Sequence, residues 1–180
     1  RKKRIKTIHF GKETTRGMGT GMNVEMGRKA AEESREEIKK AIQGADLCIF
    51  VSCLGGGTGS GAMPVFAEVA QDLETLTYGF FTLPFEFERE KKLETARLSL
   101  GQLRYFLNAL AVIPNQRVFQ LVDEKVPIKK ALSSINEAIG SSLEGLIQMI
   151  HSPGLINIDF ADLETILQGE RTLSYLTRAR

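Results

Sequence analysis

The sequence predicts an α/β domain built on a parallel sheet, and three observations support this prediction. Apolar runs with the length and composition of strands alternate with amphipathic, helix-like segments along the chain. The apolar runs are continuous, as in strands that are covered on both faces. A glycine-rich loop joins one of these runs directly to a helix-like segment. This order is typical of parallel sheets whose strands are connected by helices.

The first half of the chain supplies a helix, a strand and a second helix. Residues 27–46 carry apolar side chains at three- and four-residue spacing and end near Gly44, which predicts an amphipathic helix with a glycine stop. The run DLCIFVSC, at 46–53, predicts the first strand, buried on both faces. Residues 62–74 predict the second helix, in which Pro64 is tolerable only in the first turn.

The second half continues the same alternation. It predicts, in order, a strand, a charged helix, a short strand and a long helix, over residues 76–84, 88–110, 110–114 and 128–152. The dipeptide PG ends the long helix, and no repeat or low-complexity linker interrupts the chain. We therefore expect one domain over residues 1–152 and a short continuation over 153–180.

Composition narrows the functional classes. The chain has 180 residues, 42% of them hydrophobic, and its 24 basic and 22 acidic residues give a net charge of +2. This balance implies no nucleic-acid partner, and we give the basic segment at 1–6 no role. The apolar runs are too short for membrane insertion. Cys48 and Cys53 would lie about 16 Å apart on opposite faces of one strand, so we expect reduced thiols in a cytosolic protein.

The loop GGGTGSG, at 55–61, is the strongest functional signal. A strand-to-helix junction in a parallel sheet lies at the carboxyl edge, where a helix N-terminus presents unpaired amides. Glycines let the backbone approach an anion closely, and Thr58 and Ser60 add hydroxyl donors. A P-loop lysine after Gly61 and the G-x-G-x-x-G fingerprint are both absent. We predict a phosphate site made of amides and hydroxyls; the alternative is a turn without a ligand.

The sequence of this loop and of the segments around it resembles that of a known protein family. GGGTGSG is similar to the tubulin-type signature G-G-G-T-G-[ST]-G, and the chain resembles the FtsZ family, the bacterial and archaeal cell-division GTPases of the tubulin superfamily, over residues 5–167. The supporting stretches lie at 15–38, 83–92, 112–117 and 153–167. The resemblance implies a Rossmann-like GTPase domain. The first β-α unit of the family, with another phosphate loop, and its C-terminal domain have no counterpart in the sequence, so we expect a partial domain.

The resemblance also implies a nucleotide-binding set. Its members are Gly21, Asn23, Gly55, Gly56, Gly57, Thr58, Gly59, Ser60, Gly61, Pro84, Glu88, Lys92, Asn115, Leu132 and Asn136. The glycine loop would hold the phosphates of GTP or GDP, Glu88 the sugar, and the two asparagines the sugar and guanine. Two positions depart from the family: Lys92 replaces an arginine and Leu132 replaces the aromatic residue that stacks on the base. From the residues alone, without the resemblance, Glu88 and Lys92 would be interpreted as a solvated helix pair.

The motif GLINIDFAD implies the catalytic residues Asn157, Asp159 and Asp162. In the family this loop enters the nucleotide site of the next subunit, and its aspartates polarise the attacking water. Mg²⁺ on the phosphates would supply charge stabilisation, and we assign no metal ligand to the chain itself. From the residues alone, the carboxylates are a helix-capping arrangement.

The sequence therefore predicts a GTP-hydrolysing cell-division protein that assembles head to tail into filaments. The resemblance places it in the cytoplasm at midcell, with division accessory proteins as further partners. The alternative is a tubulin-like interaction module with weak or no nucleotide binding. A dinucleotide oxidoreductase is disfavoured because the dinucleotide fingerprint is absent.

Overall fold

The computed structural model of the protein describes residues 7–120 and 126–151. Within them, three strands form one parallel sheet in the order β1 (Leu47–Cys53), β2 (Leu76–Leu83) and β3 (Ala109–Pro114). The helices, in chain order, are α1 (Lys12–Thr15), α2 (Val24–Glu33), α3 (Arg35–Ile42), α4 (Gly57–Asp72), α5 (Glu90–Phe106) and α6 (Ile128–His151), with a 3₁₀ helix at Asn115–Gln120. The predicted parallel α/β architecture is confirmed.

The central strand β2 divides the core into two halves. Alternate side chains of a strand point to opposite faces of the sheet. Phe81 packs in a cluster with side chains of α2, α4 and α5, whereas Tyr78 and Phe80 pack in a second cluster that includes Leu143 of α6. All of these aromatic side chains are almost fully buried. Helices therefore cover both faces of β2.

The strand β1 differs from its prediction. We expected it to be buried on both faces, but Val51 is 49% exposed and Cys53 is exposed. Val51 and Cys53 point to the face of the sheet opposite Phe50, which is buried with side chains of α2 and α4, so this end of β1 is well covered on one face only. Cys48, also on β1, is mostly buried, and this burial raises the pKa of its thiol to about 11. The two cysteines are free thiols, as predicted.

Two helix boundaries also differ from the sequence prediction. The helix expected over 27–46 begins earlier and is divided into α2 and α3 at Ser34. The helix α4 begins at Gly57, inside the glycine-rich loop, rather than near residue 62. Pro64 therefore lies in the helix interior and not in the first turn. Sequence periodicity missed this start because the first turn of α4 contains few apolar side chains.

The helices α2 and α4 approach until backbone contacts backbone. A Cβ atom at Gly61 would lie 2.7 Å from the Arg28 amide nitrogen and would overlap the Val24 carbonyl oxygen. A Cβ atom at Gly27 would likewise overlap the Gly57 carbonyl oxygen. Real side chains do not make such contacts, so only glycine permits this approach. The glycines of the loop thus bring the N-termini of two helices together.

An ion-pair network fixes α3 on α4. Arg35 donates one hydrogen bond to Glu68, at 3.0 Å, and another to Asp72, at 2.8 Å. The hydrogen bond to Glu68 is the main reason that the pKa of Arg35 is raised. The guanidinium therefore links two helices that lie next to each other on the same side of the sheet.

The helix α6 is amphipathic. Its buried side chains Ala131, Ile135 and Ile139 pack against Phe85 and Val118, which follow the ends of β2 and β3. This contact sets the first half of α6 beside the carboxyl edge of the sheet. In the ranges that the structure describes, no helix combines the length and the apolar character needed to cross a bilayer.

The glycine contact between α2 and α4 leads to a prediction for Gly61. Gly61→Ala should lower the free energy of unfolding by about 1 to 3 kcal/mol, because its methyl group overpacks the interface. The matched control is Gly101→Ala. Gly101 lies inside α5 with open space around it, so alanine there should raise stability by about 0.5 to 1 kcal/mol. Urea unfolding measures both, and an equal response of the two variants would contradict the proposed contact.

Candidate functional site

The glycine-rich loop lies at the carboxyl edge of the sheet. The amide of Leu54 still pairs with the Thr82 carbonyl, at 2.9 Å, and α4 begins three residues later. The N-cap residue Gly56 makes no side-chain capping bond. The amides of residues 57–59 are therefore the unpaired donors that open every α-helix, and they carry the partial positive charge of the helix N-terminus. This end of α4 is suited to an anion.

A second helix N-terminus lies beside the first. Asn23 caps α2 by accepting a hydrogen bond from the Met26 amide, at 3.0 Å. The hydroxyl oxygens of Thr20 and Thr58 lie 3.2 Å apart and join the two loops. A Cβ atom at Gly57 would come within 2.7 Å of the Asn23 amide nitrogen. The loop at 19–23 and the glycine-rich loop therefore form one surface.

Sequence reasoning missed Thr20. Its side chain is 7% exposed, and its hydroxyl faces that of Thr58. The available signal was a hydroxyl residue between two glycines, Gly19 and Gly21, in a loop already predicted to lie near the phosphates. Gly21 itself is exposed and has a positive φ of 54°.

Ser60 supports the loop from inside. It is fully buried, and its hydroxyl accepts a hydrogen bond from the Gly55 amide, at 2.8 Å. Gly55 has a φ of 101°, which favours glycine, and the buried ring of Pro84 lies against it. Contact of Ser60 or Pro84 with a nucleotide stays a prediction, whereas their contacts with Gly55 are part of the fold.

Glu88 and Lys92 form an ion pair at the start of α5, a few residues after β2. The Lys92 ammonium donates to Glu88 Oε2, at 2.6 Å, and the Phe85 amide donates to Oε1, at 2.9 Å. The hydrogen bond from Lys92, followed by that from the Phe85 amide, holds the pKa of Glu88 below its ordinary value of 4.5, although partial burial opposes this. Both carboxylate oxygens thus have protein partners, so a sugar hydroxyl would have to share one of them.

The remaining predicted contacts lie on the elements after β3. Asn115 begins the 3₁₀ helix directly after the last residue of β3, which places it at the carboxyl edge of the sheet. Leu132 and Asn136 are exposed and stand one turn apart on α6. They lie next to the buried face of α6 that packs against Phe85 and Val118. The predicted base and sugar contacts therefore come from segments that share one core cluster.

A cavity of about 510 Å³ lies next to the paired loops. Its wall includes Thr20 and Thr58 on one side and the segment that leads into α1 on the other. Glu33 of α2 holds α1 in place, because its carboxylate accepts hydrogen bonds from the amides of Glu13 and Thr14, both at 2.9 Å. These bonds, that from Glu13 first, lower the pKa of Glu33.

The predicted catalytic residues Asn157, Asp159 and Asp162 lie outside the described residues. Their roles therefore stay predictions from the motif. Within the described residues, no group of three or more His, Cys, Asp or Glu side chains could hold a metal ion.

A parallel sheet with a glycine-rich loop at its carboxyl edge, leading into a helix N-terminus, is the arrangement of the α/β class to which many nucleotide-binding proteins belong. The family model for the GTPase domain of the tubulin/FtsZ family matches residues 2–123. The chain belongs to the tubulin/FtsZ family, so the resemblance seen in the sequence is confirmed.

Relatives with known names agree with this assignment. The chain is 39% identical over 171 residues to the cell division protein FtsZ of Haemophilus influenzae, an alignment that covers 94% of this chain and 41% of the relative. It is similar to the FtsZ dimer of M. jannaschii, with a TM-score of 0.82, 40% identity, and coverage of 88% of this chain and 46% of that one. GDP-bound CetZ1 from Haloferax volcanii gives a TM-score of 0.73 and 26% identity, covering 89% and 47% of the two chains. The chain spans less than half the length of each of these relatives.

The Glu88 contacts lead to a prediction about acid stability. Glu88→Gln should lower the free energy of unfolding at pH 7 by about 1 kcal/mol. Because the folded pKa of Glu88 is lowered, its contribution is fully present above the unfolded pKa near 4.5 and is lost as the pH falls through the folded value. The stability difference between wild type and variant should therefore disappear in acid.

Urea unfolding at a series of pH values measures this difference. Glu86→Gln, which changes an exposed neighbour, is the matched control and should change the free energy of unfolding at pH 7 by less than about 0.5 kcal/mol. A wild-type advantage over Glu88→Gln that does not decline as the pH falls below 4.5 would contradict the assignment.

Proposed function

We propose that this chain is the GTP-binding part of a cell-division GTPase. The observation that carries the proposal is the convergence of two helix N-termini at the carboxyl edge of the sheet, joined by the Thr20 and Thr58 hydroxyls, in a member of the tubulin/FtsZ family. Unpaired amides and hydroxyl groups on one surface are what a polyphosphate requires when no loop lysine is present.

The phosphates would bind at the start of α4. The amides of residues 57–59 would donate to phosphate oxygens, and the loop at 19–23 would approach the terminal phosphate. Mg²⁺ is usually held by phosphate oxygens and few protein ligands, and the hydroxyls of Thr20 and Thr58 are oxygen donors that the chain offers there. The ion would neutralise part of the phosphate charge.

The sugar and base would lie along the elements that follow β2 and β3. Glu88 would accept a ribose hydroxyl, and Asn115 and Asn136 would contact the sugar and the guanine edge, since an amide offers both a donor and an acceptor. Lys92 keeps its charge on Glu88 but lacks the bidentate geometry of arginine. Leu132 provides an apolar surface without a ring. We therefore expect weaker guanine selectivity than an aromatic residue would give.

Hydrolysis would be completed by a second subunit. Head-to-tail assembly would bring Asn157, Asp159 and Asp162 of one subunit to the phosphates of the next, where the aspartates would polarise the attacking water. Turnover would then require filaments, in the cytoplasm at midcell, with accessory division proteins as partners. The M. jannaschii relative described as a dimer supports the proposed self-association.

One observation favours a second candidate function, an interaction module with weak nucleotide binding. Both oxygens of Glu88 already have partners, Lys92 and the Phe85 amide, so sugar binding competes with contacts inside the chain. Nucleotide titration separates the two candidates.

The proposed function predicts that the folded chain binds GTP. GTP at 100 times its dissociation constant should raise the free energy of unfolding by about 2.7 kcal/mol, because it binds only the folded protein. ATP and NAD should raise the free energy of unfolding less at the same concentration, since the proposed base contacts match the donors and acceptors of guanine. Calorimetric titration and thermal unfolding measure these effects. Equal shifts for all three ligands, or no shift, would leave the interaction module as the better description.

The proposed function also gives a prediction for the loop that carries Asp159 and Asp162. In the full-length assembling protein, Asp162→Ala should abolish GTP turnover and leave GTP affinity nearly unchanged, because the aspartate would act on the nucleotide of the neighbouring subunit. Phosphate release and equilibrium binding are the two measurements. Asp46→Ala, at an exposed position before β1, is the control and should hydrolyse GTP normally. Normal turnover by Asp162→Ala would exclude the proposed role.

A further inference from the structure

The interior proline of α4 leaves one helix carbonyl without its usual partner. In an α-helix the amide of each residue donates to the carbonyl four residues earlier. Pro64 has no amide proton, so it cannot donate to the carbonyl of Ser60. Ser60 is fully buried, so water cannot replace the missing donor. An unsatisfied buried carbonyl at this point would destabilise the first turns of α4.

Ser99 of α5 supplies the missing donor. Its hydroxyl donates to the Ser60 carbonyl oxygen, at 2.9 Å, and its side chain is only 3% exposed. The hydrogen bond therefore connects α5 to the first turns of α4 through the dry interior between them. Ser99 lies on the buried face of α5, together with Ala96 and Leu103. This face continues to the buried Leu107, eight residues after Ser99.

Ser60, whose carbonyl is held by Ser99, also makes two hydrogen bonds to the glycine-rich loop. Its hydroxyl accepts the hydrogen bond of the Gly55 amide, at 2.8 Å, in a buried position. The amide of Ser60 donates to the Gly56 carbonyl, at 3.3 Å, as the first bond of α4. The segment 57–59, whose amides are proposed to bind phosphate, thus lies between Ser60 and the two residues, Gly55 and Gly56, with which Ser60 makes hydrogen bonds.

We propose that Ser60 and Ser99 are positioning residues that hold the glycine-rich loop in its anion-binding conformation, with Ser99 replacing the hydrogen bond that Pro64 removes. This inference rests on the proposed function, because the loop conformation matters for affinity only when the loop binds phosphates. Neither serine needs to touch the nucleotide. Their effect is preorganisation: amides already held in place bind a ligand without a further ordering cost.

The test compares Ser60→Ala and Ser99→Ala with wild type at a temperature where all are folded. Each variant should bind GTP about tenfold more weakly, the equivalent of about 1.4 kcal/mol. Ser60→Ala should also lose protection of the Gly55 amide against hydrogen exchange, observed by NMR, because its acceptor is gone. Ser60→Thr restores a hydroxyl and should restore protection of Gly55.

The control is Ser133→Ala on α6. Ser133 also donates its hydroxyl to a helix carbonyl, that of Lys129 at 3.1 Å, but it is exposed and lies outside the loop. It should change neither GTP affinity nor exchange at Gly55. If Ser60→Ala does not fold, Ser99→Ala carries the test, since it keeps the Ser60 side chain.

The outcomes separate this inference from the proposed function. Wild-type affinity for GTP in both folded alanine variants, with lowered melting temperature alone, would overturn the positioning role and leave the GTP site intact. Absence of GTP binding by the wild type would overturn the proposed function. In that case unchanged exchange at Gly55 in Ser60→Ala would overturn the loop contact as well, and lost protection would support it.

Discussion

The close backbone contact between α2 and α4 is the constraint on which the candidate site depends. Gly27, Gly57 and Gly61 remove the side chains that would keep the two helices apart. Their N-termini then lie side by side, and the partial positive charges at the two ends act on the same region of space. Side chains in place of these glycines would separate the helix ends and divide the anion site.

The strands and the glycine loop were predictable because their signals are local. Continuous apolar runs located β1, β2 and β3 to within a few residues, and the letters GGGTGSG carried the family resemblance. The start of α4 was not predictable, because it depends on packing against α2 rather than on periodicity. The exposure of Val51 was missed for a similar reason, since the burial of a strand residue depends on what packs on its face of the sheet.

Within the site, the types of residue were easier to predict than the directions in which their side chains point. The sequence of the loop placed Thr58 and Ser60 in the predicted phosphate site, and the structure adds that the Ser60 hydroxyl accepts from the Gly55 amide and that the Thr58 hydroxyl lies next to Thr20. The contact between the Thr20 and Thr58 hydroxyls joins segments 38 residues apart, which periodicity along the sequence does not reveal. The only sequence signal for Thr20 was its position between two glycines, Gly19 and Gly21.

The opposite environments of the two thiols on β1 make the chain suited to labelling at one defined position. The thiolate is the reactive form of cysteine, and burial keeps Cys48 protonated at neutral pH. Cys53 is exposed and lies only two residues before Gly55. A maleimide fluorophore would therefore attach beside the loop with no cysteine removed, and its emission would report directly on what occupies that edge of the sheet.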